Sequence, residues 1–171
     1  LLAAPALALT GPEPVRWAPG SREVRLENPP AQARLDRSAP WQDFLSRRGP
    51  AWTARWDEAT RRPVRFYGEG VAVDPAALAD PAASWAIAWG LLDEERSLLG
   101  VDLSDLRPLA REDQGGITTL TFAQTFAGLP VQDARISLRF VAGRFVMGQF
   151  EAWPGIAAAL PTVEPALPAA A

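Results

Sequence analysis

Hydrophobic and polar positions alternate through residues 117–150, and this pattern predicts a meander of three antiparallel strands. In the first strand, Ile117–Phe126, threonine and alanine separate the residues of one face, which are Leu120, Phe122, Gln124 and Phe126. A period of two residues is typical of a strand with one buried face. Alternation resumes over residues 134–140 and again over residues 144–150. The intervening Ala127-Gly128 and Ala142-Gly143 predict turns, since glycine adopts a positive φ without steric penalty.

A helical pattern precedes the meander, over Ala82–Leu99. Asp80 is a typical N-cap, Pro81 suits a first helical turn, and Gly100 stands where a C-terminal cap is expected. Apolar residues recur at helical spacing, at Trp85, Ala88, Trp89, Leu91, Leu92, Leu98 and Leu99. A helix of this length measures about 27 Å, which is enough to cross the meander. We therefore expect the helix to pack on the sheet.

Upstream, Trp52–Asp57 and Pro63–Gly68 predict a hairpin around residues 58–62. Together these elements predict an α+β fold, in which an antiparallel sheet of about four or five strands wraps over one main helix. A chain of 171 residues accommodates one core of moderate size, and we expect it within residues 40–154. The Pro/Arg-rich segment 9–39 and the Ala/Pro-rich segment 155–171 are interpreted as irregular linkers.

The strand–turn–strand segment carries a family resemblance. Its motif reads Phe122-Ala123-Gln124-Thr125-Phe126-Ala127-Gly128-Leu129-Pro130-Val131. This resembles the FTP domain, the propeptide module of fungalysin and thermolysin precursors, in which an aromatic strand ends in Gln-Thr and Gly-x-Pro-Val opens the next strand. The signature residues are Phe122, Gln124, Thr125, Gly128, Pro130 and Val131. The exit of the helix at residues 100–106 and the early hairpin are similar to the same family.

The resemblance implies a function by binding. Such a module is the propeptide of a secreted thermolysin- or fungalysin-type zinc metalloprotease, where it acts as an intramolecular chaperone and keeps the attached peptidase inactive as a zymogen. The partners implied are the downstream peptidase domain and a PepSY module, since residues 161–169 resemble the linker that leads into PepSY. The resemblance thus implies that the chain is the front part of a longer bacterial precursor and that this full-length precursor is a metalloendopeptidase.

The first eight residues, Leu1–Ala8, predict the end of a secretory signal because a short apolar stretch precedes an A-x-A arrangement. We therefore expect a secreted or periplasmic protein. No apolar run in the sequence approaches the roughly 20 residues of a membrane span, so no membrane association of the mature form is expected. The net charge of −3 and the lack of a persistent basic run also argue against a nucleic-acid partner.

The chemistry available to the chain is restricted. Histidine and cysteine are absent, which removes the H-E-x-x-H zinc motif, thiolate metal sites and histidine-assisted nucleophiles. The consecutive Asp93, Glu94 and Glu95 spread around a helix and are interpreted as a solvated face. Asp102 and Asp105 are expected to satisfy local backbone N–H groups. We predict no catalytic residue, no metal and no cofactor in this chain.

Tryptophan and Gln124 raise a further question. Trp41, Trp52, Trp56, Trp85, Trp89 and Trp153 are candidates for a sugar-stacking platform, but the spacing of four of them favours core packing. Gln124 lies on the apolar face of its strand, so its amide is expected to bind neighbouring backbone. Two alternatives therefore stand beside the propeptide function, a noncatalytic protein-interaction module of a secreted multidomain protein and a carbohydrate-binding module.

Overall fold

The computed structural model describes residues 28–156. Five helices are found there: α1 Pro29–Leu35, α2 Ala39–Arg48, α3 Pro75–Ala79, α4 Pro81–Glu94 and α5 Arg96–Leu99. The six strands are β1 Trp52–Asp57, β2 Arg62–Ala72, β3 Leu106–Gln114, β4 Ile117–Phe126, β5 Leu129–Val141 and β6 Arg144–Phe150. A single 3-10 turn, Leu103–Asp105, precedes β3. No helix within the described range is long and apolar enough to cross a membrane.

The strands form one antiparallel sheet in the order β1-β2-β6-β5-β4-β3. The predicted hairpin is β1–β2 and the predicted meander is β4–β5–β6, so the α+β class is confirmed. The sheet has six strands instead of four or five because β3 pairs with β4 along one edge. Pro108 and several charged residues interrupt the apolar pattern of β3, and such residues are tolerated on edge strands.

The expected helix is present, with a break near its C-terminal end. The Asp80 carboxylate accepts a hydrogen bond from the Ala83 N–H at 2.7 Å, and Pro81 occupies the first turn. At Glu95 the backbone leaves helical geometry, with φ −101° and ψ 14°, which separates α4 from α5. Gly100 then ends α5 in the left-handed region at φ 66°. A side chain at Gly100 would also meet the Arg62 guanidinium, which donates to the carbonyls of the last helical turn.

The core lies between the sheet and the helices and contains two aromatic groups. Under α2, the rings of Trp41 and Phe44 are stacked at 4.8 Å, and Phe44 meets Phe66 of β2 at 5.1 Å. Under α4, Trp85 and Trp89 approach Phe122 of β4 at 5.1 Å and 4.8 Å. The register aligns Phe66 with Gly148, Leu138 and Leu120 across the sheet, so both groups pack on the same face.

The folded part of the chain begins earlier than the expected boundary at residue 40. Ala31 and Leu35 of α1 are buried, and the Gln32 amide makes two hydrogen bonds with the backbone of Trp56. The Trp56 indole N–H also donates to the Asp36 carboxylate at 2.8 Å. The end of the segment interpreted as a linker is therefore part of the core. Residues 1–27, with the predicted signal remnant, and residues 157–171 lie outside the described range.

We predict that Phe122→Ala lowers the free energy of unfolding by about 3–5 kcal/mol, since a fully buried ring is lost and a cavity remains. Equilibrium denaturation measures the change. Leu129→Ala is the matched control because Leu129 is 72% exposed, and its effect should stay within about 0.5 kcal/mol. A loss below about 1 kcal/mol for Phe122→Ala would contradict the position of this ring in the core.

Candidate functional site

The signature residues lie on β4, the following turn and the start of β5, and the structure divides them between two environments. Phe122 and Gln124 are buried on the helix-bearing face, whereas Gly128 and Pro130 are exposed at the tip of the β4–β5 hairpin. Thr125 and Val131 are half-buried between them. The six residues therefore do not converge on one pocket. They define a structural unit, which we call the signature hairpin (residues 122–131).

Gln124 anchors this hairpin to the segment that follows β6. Its side chain is 1% exposed, and its Nε2 donates to the Trp153 carbonyl at 2.9 Å. The Trp153 N–H donates in return to Gln124 Oε1 at 2.7 Å. The amide thus offers Trp153 one donor and one acceptor, as a neighbouring strand would. This pair of bonds, the Gln124 clamp, agrees with the expectation that the buried amide binds backbone.

The clamp lies where the ladder between β4 and β5 is interrupted. Ala123 pairs with Arg135 and Thr125 pairs with Pro130, so several β5 residues bulge outward opposite Gln124. Asp133 adopts a left-handed conformation within this bulge, at φ 57°. A bulge bends its strand and redirects side chains. The Gln124 side chain therefore binds the segment at Trp153 at the point where the pairing of β4 with β5 is interrupted.

The tip of the signature hairpin is a tight turn with open surroundings. Ala127 and Gly128 have φ of 48° and 80°, and two positive values are characteristic of a type I′ turn. No atom lies within 4 Å of the position that a Gly128 side chain would take. Glycine is thus required by the backbone conformation and not by space. On the other side of β4, the Thr125 hydroxyl donates to the Asp105 carbonyl at 2.9 Å, which fixes the approach to the turn.

Asp102 accepts local hydrogen bonds as expected, whereas the Asp105 carboxylate makes no hydrogen bond within residues 28–156. The Asp102 carboxylate accepts hydrogen bonds from the Ser104 N–H and hydroxyl, both at 2.9 Å, and these bonds lower the pKa of Asp102. Desolvation, followed by the charge of Asp102, raises the pKa of Asp105. Across residues 28–156 no three Asp, Glu, His or Cys side chains are grouped as metal ligands.

Glu95 departs from the interpretation of residues 93–95 as a solvated face. Asp93 and Glu94 are exposed, but Glu95 is only 2% exposed. Its carboxylate accepts from both terminal nitrogens of Arg47, at 3.1 Å and 2.8 Å, and from Nε of Arg48 at 3.1 Å. These bonds join α2 to the break between α4 and α5. The buried residues Ala88, Leu91 and Leu92 lie on one face of the helix, and position 95 lies on the same face. This spacing was the sequence signal that could have indicated the burial of Glu95.

The tryptophans do not form a sugar-binding platform within the described residues. Trp52 and Trp56 are buried, as the strand spacing predicts, and Trp41 of α2 is buried as well. Trp85 and Trp89 are half-buried, and each meets Phe122 edge to face. A stacking platform requires exposed, roughly coplanar rings, whereas these rings are committed to the core.

An open cavity of about 380 Å³ lies beside α1 and the β1–β2 turn, lined by Arg34, Leu35, Glu58 and Arg61. Glu58 Oε1 is buried there and makes no hydrogen bond in the described part of the protein. The lining combines two guanidinium groups with one carboxylate.

Comparison of the chain with protein-family models, with curated proteins and with solved structures returns no match.

We predict that Gln124→Met lowers the free energy of unfolding by about 1–3 kcal/mol, because both clamp bonds are lost at a buried position. Gln42→Met is the control, since the Gln42 amide makes one exposed bond, to the Asp36 carbonyl at 2.7 Å. Its effect should stay within about 0.5 kcal/mol. Equal, small effects of the two variants in urea denaturation would show that water replaces the clamp without cost.

We also predict that the isolated chain retains no zinc after dialysis and does not hydrolyse casein. Carboxylates alone suit hard cations and not structural or catalytic zinc, and the sequence contains no histidine or cysteine. Atomic absorption and a fluorescent casein assay measure the two properties. Retention of stoichiometric zinc after dialysis would contradict the prediction that this chain has no zinc site.

Proposed function

We propose that this chain is the propeptide module of a secreted thermolysin- or fungalysin-type zinc metalloprotease. It acts as an intramolecular chaperone and inhibitor of the attached peptidase, and has no catalytic residue or cofactor of its own. The observation that carries the proposal is the Gln124 clamp. Gln124, one of the six signature residues, is buried and binds the backbone of the segment that follows β6.

The Gln124 clamp holds the segment that follows β6 against the signature hairpin. A module that assists and inhibits a covalently attached domain needs a defined exit direction. The linker must allow the attached domain to reach the docking surface of the module. Residues 151–156 follow β6 directly, and Ala152 and Ile156 are buried against the domain. The clamp at Trp153 thus fixes the direction in which the chain continues towards residue 157. A PepSY module and then the peptidase would follow along this direction in the proposed precursor.

The remaining chemistry of the described residues supports action by binding. The grouped charges are ion pairs or backbone caps, such as the Glu95 cluster and Asp102. Inhibition by such a module depends on shape and polar complementarity, which requires no reacting side chain. Secretion and removal of the propeptide during maturation belong to the same proposal.

A noncatalytic interaction module of a secreted multidomain protein is the second candidate function. No group of three metal-binding side chains lies among residues 28–156, and the reading frame after residue 171 separates the two candidates. An H-E-x-x-H motif downstream supports the propeptide, whereas its absence supports the interaction module. A carbohydrate-binding module has less support because Trp41, Trp52 and Trp56 are buried and both Trp85 and Trp89 pack against Phe122.

We predict that Gly128→Val in the full-length precursor reduces the yield of matured protease several-fold and leaves the activity per correctly folded molecule unchanged. A β-branched residue at φ 80° strains the turn of the signature hairpin. Gly116→Val is the matched control, because Gly116 has φ 77° and an equally open surrounding in the β3–β4 turn. Active-site titration measures the specific activity, and immunoblotting measures the yield.

The two variants separate a specific role from a general loss of stability. A larger effect of Gly128→Val than of Gly116→Val supports a role of the signature hairpin in maturation. An unchanged yield for Gly128→Val would make the module a passenger. A fall in specific activity alone would mean that the module contributes to the mature active site.

A further inference from the structure

One face of the six-stranded sheet carries no helix in the described part of the protein. Both aromatic groups of the core pack on the other face, as the register of Phe66 and Phe122 shows. We call the uncovered surface the open face. Its residues follow from the pairing of the strands, and they are Thr53, Arg55, Arg65, Tyr67, Arg107, Ala110, Glu112, Thr119, Thr121, Ala123, Arg135, Ser137, Arg139, Met147 and Gln149.

The open face is rich in arginine although the chain as a whole has a net charge of −3. The arginines are Arg55, Arg65, Arg107, Arg135 and Arg139, and all five are exposed. Acidic residues are fewer, since only Glu112 on the edge strand β3 and Glu151 after β6 accompany them, and the Glu151 carboxylate accepts from the Gln149 amide at 3.0 Å. The face therefore has the opposite charge to the protein that carries it.

The arrangement of these arginines is unfavourable in the isolated domain. Arg55 lies directly opposite Arg65 on the neighbouring strand, and like charges in this position repel. Arg65 donates to the neutral Gln149 side chain at 3.3 Å. Within residues 28–156, the guanidinium groups of Arg55, Arg135 and Arg139 make no hydrogen bond or ion pair. An external carboxylate bound between Arg55 and Arg65 would offset their repulsion.

Elsewhere several arginines have carboxylate partners, whereas Arg34, Arg37 and Arg61 have none within residues 28–156, so the distinguishing property of the open face is that five arginines are grouped on it. Arg47 and Arg48 bind Glu95, and Arg111 binds Asp113 at 2.9 Å. Arg96 likewise pairs with Asp93 on the helix surface. The unpaired arginines of the open face thus differ from those that hold the domain together.

Apolar contact area accompanies the charge. Tyr67 is 42% exposed and lies directly opposite Met147, which in turn lies opposite Arg139 on β5. Tyrosine, methionine and arginine are the residues most enriched in protein–protein interfaces. Thr53, Thr119, Thr121 and Ser137 lie on the same face, so the surface also offers hydroxyl groups for hydrogen bonding. These features fit a folded protein partner better than a flexible polyanion.

We propose that the open face docks on an acidic surface of the peptidase domain of the same precursor. This rests on the proposed function and adds the surface that mediates it. The arginines bind carboxylates of the peptidase, since the guanidinium group matches a carboxylate in two parallel hydrogen bonds. Tyr67 and Met147 form the apolar centre of the contact.

Charge reversal tests the proposal. The 171-residue chain and the peptidase encoded downstream are produced separately, and their dissociation constant is measured by calorimetry at about 50 mM and 500 mM NaCl. We expect Arg65→Glu combined with Arg139→Glu to weaken binding at low salt at least about tenfold. High salt should weaken the wild-type complex and reduce the difference.

A matched control carries the same change in net charge away from the open face. Arg34→Glu combined with Arg37→Glu alters two exposed arginines beside α1, and its dissociation constant should stay within about twofold of the wild type. Thermal unfolding should show no loss of stability in either double variant, since all four side chains are exposed and Arg65→Glu also removes the repulsion with Arg55.

The outcomes separate this inference from the proposed function. If the wild-type chain binds and the Arg65/Arg139 variant binds equally well, the docking surface is wrong and the propeptide function stands. If the wild-type chain does not bind and the Gly128→Val precursor matures normally, the propeptide function itself fails. Charge-dependent binding to duplex DNA or to phosphatidylglycerol vesicles, with no effect on the peptidase, would also overturn the proposal.

Discussion

The domain depends on satisfying backbone groups at points where its sheet ladder does not supply a partner. Two glutamine side chains meet this requirement in the same way. The Gln32 amide exchanges hydrogen bonds with the backbone of Trp56 at one end of the sheet, and Gln124 does so with Trp153 further along. An unpaired buried amide or carbonyl costs free energy comparable to a lost hydrogen bond. The two glutamines therefore bind the entry and exit segments of the domain to its strands.

Arginine has two distinct roles in this chain. At the helix break, Arg47 and Arg48 enclose the carboxylate of Glu95, which would be strongly unfavourable in its buried position without them. On the open face, Arg55 and Arg139 project from strands without partners. The first group connects α2 to the helical segment that crosses the sheet. The second group makes the open face basic, although the chain as a whole has a net charge of −3.

Much of the fold could be predicted from the sequence because its signals are local. The alternation in β4–β6, the turn at Ala127-Gly128 and the Asp80 cap each determine their own element. The hydrogen bonding of Gln124 could also be anticipated, since a polar residue on an apolar face needs a partner. Its partner could not, because Trp153 is distant in sequence and meets Gln124 only in the assembled sheet.

The elements that were missed depend on tertiary contacts. α1 is short and proline-led, and its register on β1 is set by Gln32 and Leu35 reaching the core. β3 has a mixed pattern because it is an edge strand, so no period of two residues stands out. Glu95 was assigned to solvent because its neighbours Asp93 and Glu94 are charged. Only the approach of α2 converts that position into a buried ion pair.

The topology also bears on how the domain assembles during synthesis. β2 and β6 are adjacent in the sheet, and Arg65 meets Gln149 across 84 positions of sequence. Pairings of such long range are slow to form, because the intervening chain must first lose its conformational freedom. The early hairpin and the later strands remain two separate pieces until β6 is inserted between them. β6 is the last of the six described strands to be synthesised, so the two pieces of the sheet join only when this strand pairs with both β2 and β5.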